Sequence, residues 1–236
     1  MVPDPKQQNT LPENLNMDFS KRLIIETAEM DWLPSPAPGV RRKPLERLQK
    51  ESGHTTSIVK YTPDTSFASH SHPLGEEIFV LEGVFSDESG DYPAGSYLRN
   101  PPGSRHAPFS TDGCVIFVKL NQFASTDLTQ VRLQTELKAI QDNPEAKLLH
   151  EYQNPETGIR EHTWLLSSTP GEIEIPGGNA VPAELLVIEG RLQIGQVSLH
   201  PGSWFRTPDL ASEAVCAEGK GLILIKTGHL PLKKPG

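Results

Sequence analysis

The stretch His70-Ser71-His72-Pro73-Leu74-Gly75-Glu76-Glu77-Ile78-Phe79-Val80-Leu81-Glu82-Gly83 decides the fold. One residue separates the two histidines. On a strand that spacing turns both imidazoles to the same face. Pro73-Leu74-Gly75 reads as a turn, and Glu76 opens the next strand. Alternation from Glu76 places Ile78 and Val80 on its face and Phe79 and Leu81 on the opposite one. Both faces are apolar, so this strand is expected to be covered on both sides.

Outward from it, short apolar runs follow one another, among them TSIVKY, CVIFVKL, TWLL, ELLVIEG and GLILIK. They are rich in Val, Ile, Phe and Leu and are divided by Gly/Pro clusters such as YPAG, NPPG, IPGG and HPG. This predicts an all-β chain of many short strands. SPAPGVRRKPLERL carries three prolines and is expected to wrap the surface rather than pair centrally. TELKAIQDN can hold a turn or two of helix. Residues 1–20 are polar and are expected to be a disordered tail.

The chain also repeats itself. A shift of 107 residues lays Thr56 on Thr163, VLEG (80–83) on VIEG (187–190), GSYLRNP (95–101) on GSWFRTP (202–208) and IFVK (116–119) on ILIK (223–226). Upstream, LIIET (23–27) resembles VRLQT (131–135) at a shift of 108. One β unit is therefore present twice, giving an expected division into residues 21–125 and 126–236.

GSYLRNPPGSRH brings a third histidine, His106, after a Pro/Gly turn. His70, His72, Glu76 and His106 together offer three neutral imidazole lone pairs and one carboxylate. That set holds Zn, Fe, Mn or Ni. His54, His150, His162, His200 and His229 stand outside it and receive no role. Ile78, Val80, Tyr61 and Tyr97 are the candidate pocket lining. Glu77 and Glu82 are candidate general bases, although solvated strand-edge carboxylates are the commoner outcome. Arg99 has a counterpart, Arg206, in the second copy, which argues for a structural role. No catalytic residue is assigned.

The two segments match the two cupin motifs. His70, His72, Glu76 and Gly83 fit the first; Gly95, Pro101, Gly103 and His106 fit the second, with Ser110 in place of the usual Asn. WLPSPAPGVRRKPLER, the segment 75–106 and CVIFVKLNQF further resemble the cupin domain of ChrR-type anti-sigma factors. The resemblance implies two tandem double-stranded β-helix barrels. It also implies one divalent metal per chain, zinc first, with Fe, Mn or Ni as alternatives. In that family the anti-sigma activity resides in a separate N-terminal helical domain with its own His/Cys zinc site. Residues 1–20 hold no cysteine and a second cupin follows, so a sigma-factor partner is not expected.

At the 107-residue shift, His70, His72, Glu76 and His106 fall on Gly177, Asn179, Ala183 and Glu213. The second copy is expected to be metal-free and to cover the first, with Leu185 and Val187 as core. A net charge of −8 argues against nucleic acid, and the short basic run Arg41-Arg42-Lys43, followed by Glu46, reads as a solvated surface. There is no apolar run of membrane-spanning length, and MVPDPKQQNT lacks the pattern of a signal peptide, so a cytoplasmic location is expected. Cys114 and Cys216 form no CxxC pair. The ChrR-like resemblance favours a sensor or regulatory module; a non-haem dioxygenase or related metal enzyme is the alternative, and a small-molecule binding or isomerase module is a third reading. A homodimer is also open.

Overall fold

The computed structural model describes residues 12–49, 53–142, 146–176 and 181–230. The chain is almost entirely β, as the alternating runs require, and TELKAIQDN contributes the short helix Leu137–Asp142.

Two large sheets repeat one strand order. The first runs Val131–Gln134, Ser96–Asn100, Glu76–Asp87, Cys114–Leu120, Thr55–Tyr61, Val40–Arg47, Leu33–Pro34. The second runs Leu23–Glu26, Ser203–Thr207, Ala183–Glu189, Gly221–Thr227, Arg160–Ser168, Ala146–Gln153. The first strand of each copy has crossed to the other copy's sheet. Leu23 lies opposite Arg206 and Ile25 opposite Trp204; Val131 lies opposite Arg99 and Leu133 opposite Tyr97. The exchange obeys the internal repeat, so the two halves are locked together reciprocally through backbone hydrogen bonds.

Three cores result. Val59, Tyr61, Ile78, Val80, Cys114 and Ile116 belong to the interior of the first half. Leu185, Val187, Leu192, Phe205, Ile223 and Ile225 belong to that of the second. A third core lies between the sheets: Leu45, Ile58, Phe79 and Phe117 pack with Leu165, Leu186, Trp204 and Leu224. This explains the two apolar faces of the strand from Glu76: Ile78 and Val80 look into their own half, and Phe79 looks across to the other.

Charge is buried in the shared core, again by the repeat. Lys226 Nζ lies 2.5 Å from Glu77 Oε2, and Lys119 Nζ lies 2.6 Å from Glu184 Oε1. Arg99 pairs with Asp127 and Arg206 with Glu46. Both arginines are almost wholly buried, so Arg99 has the structural place its counterpart implied.

Gly83 and Gly190, equivalent in the repeat, have φ +70° and +82°. A Cβ on Gly83 would lie 2.2 Å from the Gly113 carbonyl oxygen, and one on Gly190 would lie 2.6 Å from that of Lys220. The motif glycine is thus required by a close approach of backbones.

Two expectations are corrected. The proline-rich segment does pair: Val40–Arg47 is an eight-residue strand beside Thr55–Tyr61. Pro44 is accommodated by a bulge between Pro44 and Glu46, where a missing N–H disturbs the ladder least. Residues 12–20 are not a free tail either. Leu15 bridges Arg47, Asn16 Nδ2 donates to the Leu45 carbonyl at 2.7 Å, and Phe19 lies over the Arg206 guanidinium at 4.7 Å.

Candidate metal centre

The two motifs become a two-stranded ribbon. His70–His72 runs antiparallel to Ser104–His106, with His106 opposite His70. The alternation read from the sequence places His70, His72 and His106 on one side of it. Their rings stand 4.8–5.2 Å apart, centre to centre. One nitrogen from each lies within 4.8 Å of the others. Glu76 comes from the adjoining large sheet. Its Oε2 is 3.4 Å from His72 Nε2 and 3.3 Å from His106 Nε2.

The residues fit a divalent cation on three observations. First, His72 Nε2 and His106 Nε2 are buried and make no hydrogen bond. Such atoms are costly to leave unsatisfied. Second, the tautomers suit ligation. His70 Nδ1 is 3.0 Å from the Ala68 carbonyl, and His106 Nδ1 is 3.4 Å from Asp87 Oδ2. Both partners accept only, so each Nδ1 carries the proton and each Nε2 keeps its lone pair. Third, the Glu76 carboxylate is oriented by Asn100 Nδ2, which donates to Oε2 at 2.8 Å.

Electrostatics point the same way. Burial, then the neighbouring His106 and His70, lower the His72 pKa to about 3. Burial also lowers His106, against the opposing pull of Asp87. Burial raises Glu76 to about 7, with Asp87 adding to the rise and Asn100 and Arg132 opposing it. The imidazoles of His72 and His106 are therefore kept neutral, and the carboxyl is penalised when charged without a cation beside it. A divalent ion reverses that penalty.

A cavity of about 520 Å³ adjoins the ligands, within the range of small-molecule sites. His70, His72 and Glu76 are on its wall. Arg42, Ser57, Tyr61 and Asn121 supply polar groups, and Phe67, Ile116 and Val118 supply apolar ones.

Of the four expected lining residues, Tyr61 is on this wall. Ile78 and Val80 are buried in the same half's core. Tyr97 faces the other way: it sits opposite Phe79 in the ladder, in the shared core, and its hydroxyl donates to Glu77 Oε1 at 2.6 Å. Glu77 is no solvated base. It is buried in the ion pair with Lys226, away from the cavity. Glu82 is exposed. Arg99 is held in its ion pair. Ser110, at the usual Asn position, donates to the Val84 carbonyl at 2.6 Å.

The sequence reading missed Asn100, Asp87, Arg132 and Arg42. A signal existed for some of them. Asn100 and Asp87 fall on Thr207 and Ile194 at the 107-residue shift, so they vary together with the ligands.

In the second half, Ala183 is buried in the apolar core, and Glu213 accepts from Arg22 Nε at 2.9 Å. Gly177 and Asn179 lie outside the described residues. Leu185 and Val187 are core residues. His54, His150, His162 and His229 each face a carboxylate, and His200 is exposed. Both cysteines are free thiols, Cys114 buried in the first half's core. No helix among the described residues is long and apolar enough to cross a membrane.

The all-β strand order is that of the cupin fold. Residues 20–124 match the ChrR cupin-like domain family. Nickel(II)-bound bacterial pirin from Escherichia coli superposes with a TM-score of 0.67 at 12% identity, covering 90% of this chain and 100% of that one. A candidate dioxygenase from Nostoc punctiforme gives 0.63 at 15%, covering 92% and 85%. A cupin 2 conserved barrel domain protein from Leptotrichia buccalis gives 0.56 at 14%, covering 91% and 99%. At these identities the likeness is one of fold. No curated protein matches the sequence.

Proposed function

We propose that the first half is a metal centre that acts on a small molecule, in the manner of a non-haem dioxygenase or related cupin enzyme. His70, His72, Glu76 and His106 would hold the ion. The observation that carries this reading is the cavity of about 520 Å³ with three of those residues on its wall. Four ligands on an octahedral ion leave two positions open, and the ion supplies Lewis acidity and a template for bound groups. The chain's own residues do the rest. Phe67, Ile116 and Val118 exclude water from an apolar part of the ligand. The Tyr61 hydroxyl, held protonated by burial, offers a hydrogen bond to a polar part. Asn100 keeps the Glu76 carboxylate turned toward the imidazoles.

A second reading, a zinc-holding sensor, is favoured by the ChrR cupin-like match. Four ligands close a tetrahedral zinc site, and a closed site does not need the cavity. Elemental analysis of protein from its native source, paired with oxygen-uptake measurements, separates the two. The enzyme reading expects iron, manganese or nickel and oxygen uptake with a cavity-sized substrate. Tightly held zinc with no open position and no uptake would favour the sensor.

Either reading expects one metal per chain, since all four equivalent positions in the second half differ. Two equivalents per chain would overturn the view of the second half as metal-free.

A further inference from the structure

The strand that the second half lends to the first carries an arginine to the metal centre. Arg132 lies on Val131–Gln134, opposite Leu98 in the first half's sheet. Its Nη2 donates to Asn100 Oδ1 at 2.6 Å and lies 3.8 Å from Asp87 Oδ2. Asn100 Nδ2 in turn donates to Glu76 Oε2 at 2.8 Å. Asp87 Oδ2 stands 3.4 Å from His106 Nδ1. One guanidinium therefore stands behind two of the four ligands, through one intermediary each.

We propose that Arg132 is a positioning residue of the metal centre, through which the second half sets the orientation of Glu76 and His106. This rests on the reading of those residues as metal ligands. A guanidinium only donates, so it can face only the oxygen end of the Asn100 amide. That fixes the amide, and its N–H₂ end must then face the Glu76 carboxylate. At Asp87 the same cation holds a carboxylate in place to accept from His106 Nδ1. The His106 lone pair on Nε2 is thereby aimed at the site. Arg132 is itself held in place: Nε donates to the Tyr92 hydroxyl at 3.1 Å and Nη1 to the Arg99 carbonyl at 3.1 Å.

The second copy supplies an internal control. In the reciprocal strand Ile24 faces Phe205, the repeat equivalent of Leu98. Ile24 thus occupies the place of Arg132, and it packs on the apolar core of the second half. Asn100 and Asp87 are likewise replaced there, by Thr207 and Ile194. The whole relay differs together with the four ligands. The residues shared by the two copies, such as Arg99 and Arg206, instead belong to the interface between the halves.

The test is a Co²⁺ and Zn²⁺ titration of wild type, Arg132→Ala, Arg132→Lys and Asn100→Ala, read by competition with a chelating dye and by the visible absorption of bound Co²⁺. Arg132→Ala and Asn100→Ala are each expected to weaken binding by about 10–100-fold, the usual cost of losing a residue that supports a ligand, and to change the Co²⁺ band. Arg132→Lys regains part of the affinity, because an ammonium can donate to Asn100 but cannot bridge as a planar fork does. Wild-type affinity and an unchanged Co²⁺ band in Arg132→Ala would overturn the proposal. So would a lower melting temperature of the metal-free variant with affinity unmoved, which marks a purely structural role. His72→Ala in parallel keeps the two ideas apart: if that variant also retains metal, the ligand assignment itself has failed.

Discussion

His72→Ala is expected to remove most of the bound metal, whereas His200→Ala leaves it in place. His72 is 5% exposed, and its buried Nε2 has no hydrogen-bond partner. It faces Glu76 at 3.4 Å and forms a triangle with the other two imidazoles, its ring centre 4.9 Å from that of His70 and 4.8 Å from that of His106. Truncation removes one donor and opens space for water among the rest. The loss in affinity should exceed the roughly 10–100-fold typical of a supporting residue. His200 is exposed in the second half and touches none of these groups. Elemental analysis after gel filtration reads the difference directly; equal losses in both variants would overturn the assignment. A second readout comes from linkage. Metal binding to the folded state adds about 2.7 kcal/mol when free metal is 100 times Kd. Adding Zn²⁺ should therefore raise the melting temperature of wild type and of His200→Ala but not of His72→Ala. In the presence of chelator, wild type should lose that increment.

The ligands were legible because local spacing sets them. A one-residue gap on a strand puts His70 and His72 on one face, and the Pro/Gly turn before His106 ends in the strand that pairs with them. The two faces of Glu76–Asp87 were legible for the same reason. What covers each face was not, because it depends on residues far along the chain. Tyr97 illustrates this. Its aromatic ring suited a pocket, but its place opposite Phe79 turns it toward the second half. Its repeat partner Trp204 was the available sign: a bulky ring kept in both copies belongs to what both copies share. Glu77 was misread likewise, since a carboxylate in a strand is usually solvated, and its cation Lys226 lies 149 positions away. The strand exchange left a trace in the likeness of LIIET to VRLQT. However, a repeat shows that two segments are equivalent, not which sheet each one joins.

Lys226→Met is expected to be among the most destabilising single changes in the chain, and its pH dependence identifies the cause. Glu77 is buried, and Lys226 at 2.5 Å is its first charge partner, with Arg99 farther off at 3.5 Å. Tyr97 and Thr163 donate to Glu77 Oε1 at 2.6 and 3.1 Å. Despite burial, Lys226 and Arg99 hold the Glu77 carboxyl well below the usual carboxylate range. Removing one member of such a pair leaves an uncompensated charge, at a cost of about 3–5 kcal/mol. The remaining Arg99 and hydrogen bonds favour the lower end. For a chain of this size about 3 kcal/mol corresponds to a melting temperature lower by roughly 6–12 °C. A folded-state pKa depressed in this way gives stability that is full above the unfolded value of about 4.3 and is lost as pH falls toward the folded value. In Lys226→Met that depression is largely gone, so Glu77 takes up a proton at higher pH and its buried charge disappears. The gap between variant and wild type should therefore be widest near neutral pH and narrow progressively as the pH falls below about 4 toward the depressed wild-type value. Melts of metal-free protein at neutral and acid pH check this, and a gap that does not change with pH would assign the loss to packing instead. Glu77→Gln with Lys226→Met together should recover much of the stability, since a buried pair replaced by neutral groups is often close to neutral in energy. Lys119→Met tests the repeat itself: despite burial, Lys119 and then His229 hold the Glu184 carboxyl below its ordinary value, so the same pH-dependent gap should appear from the mirror position.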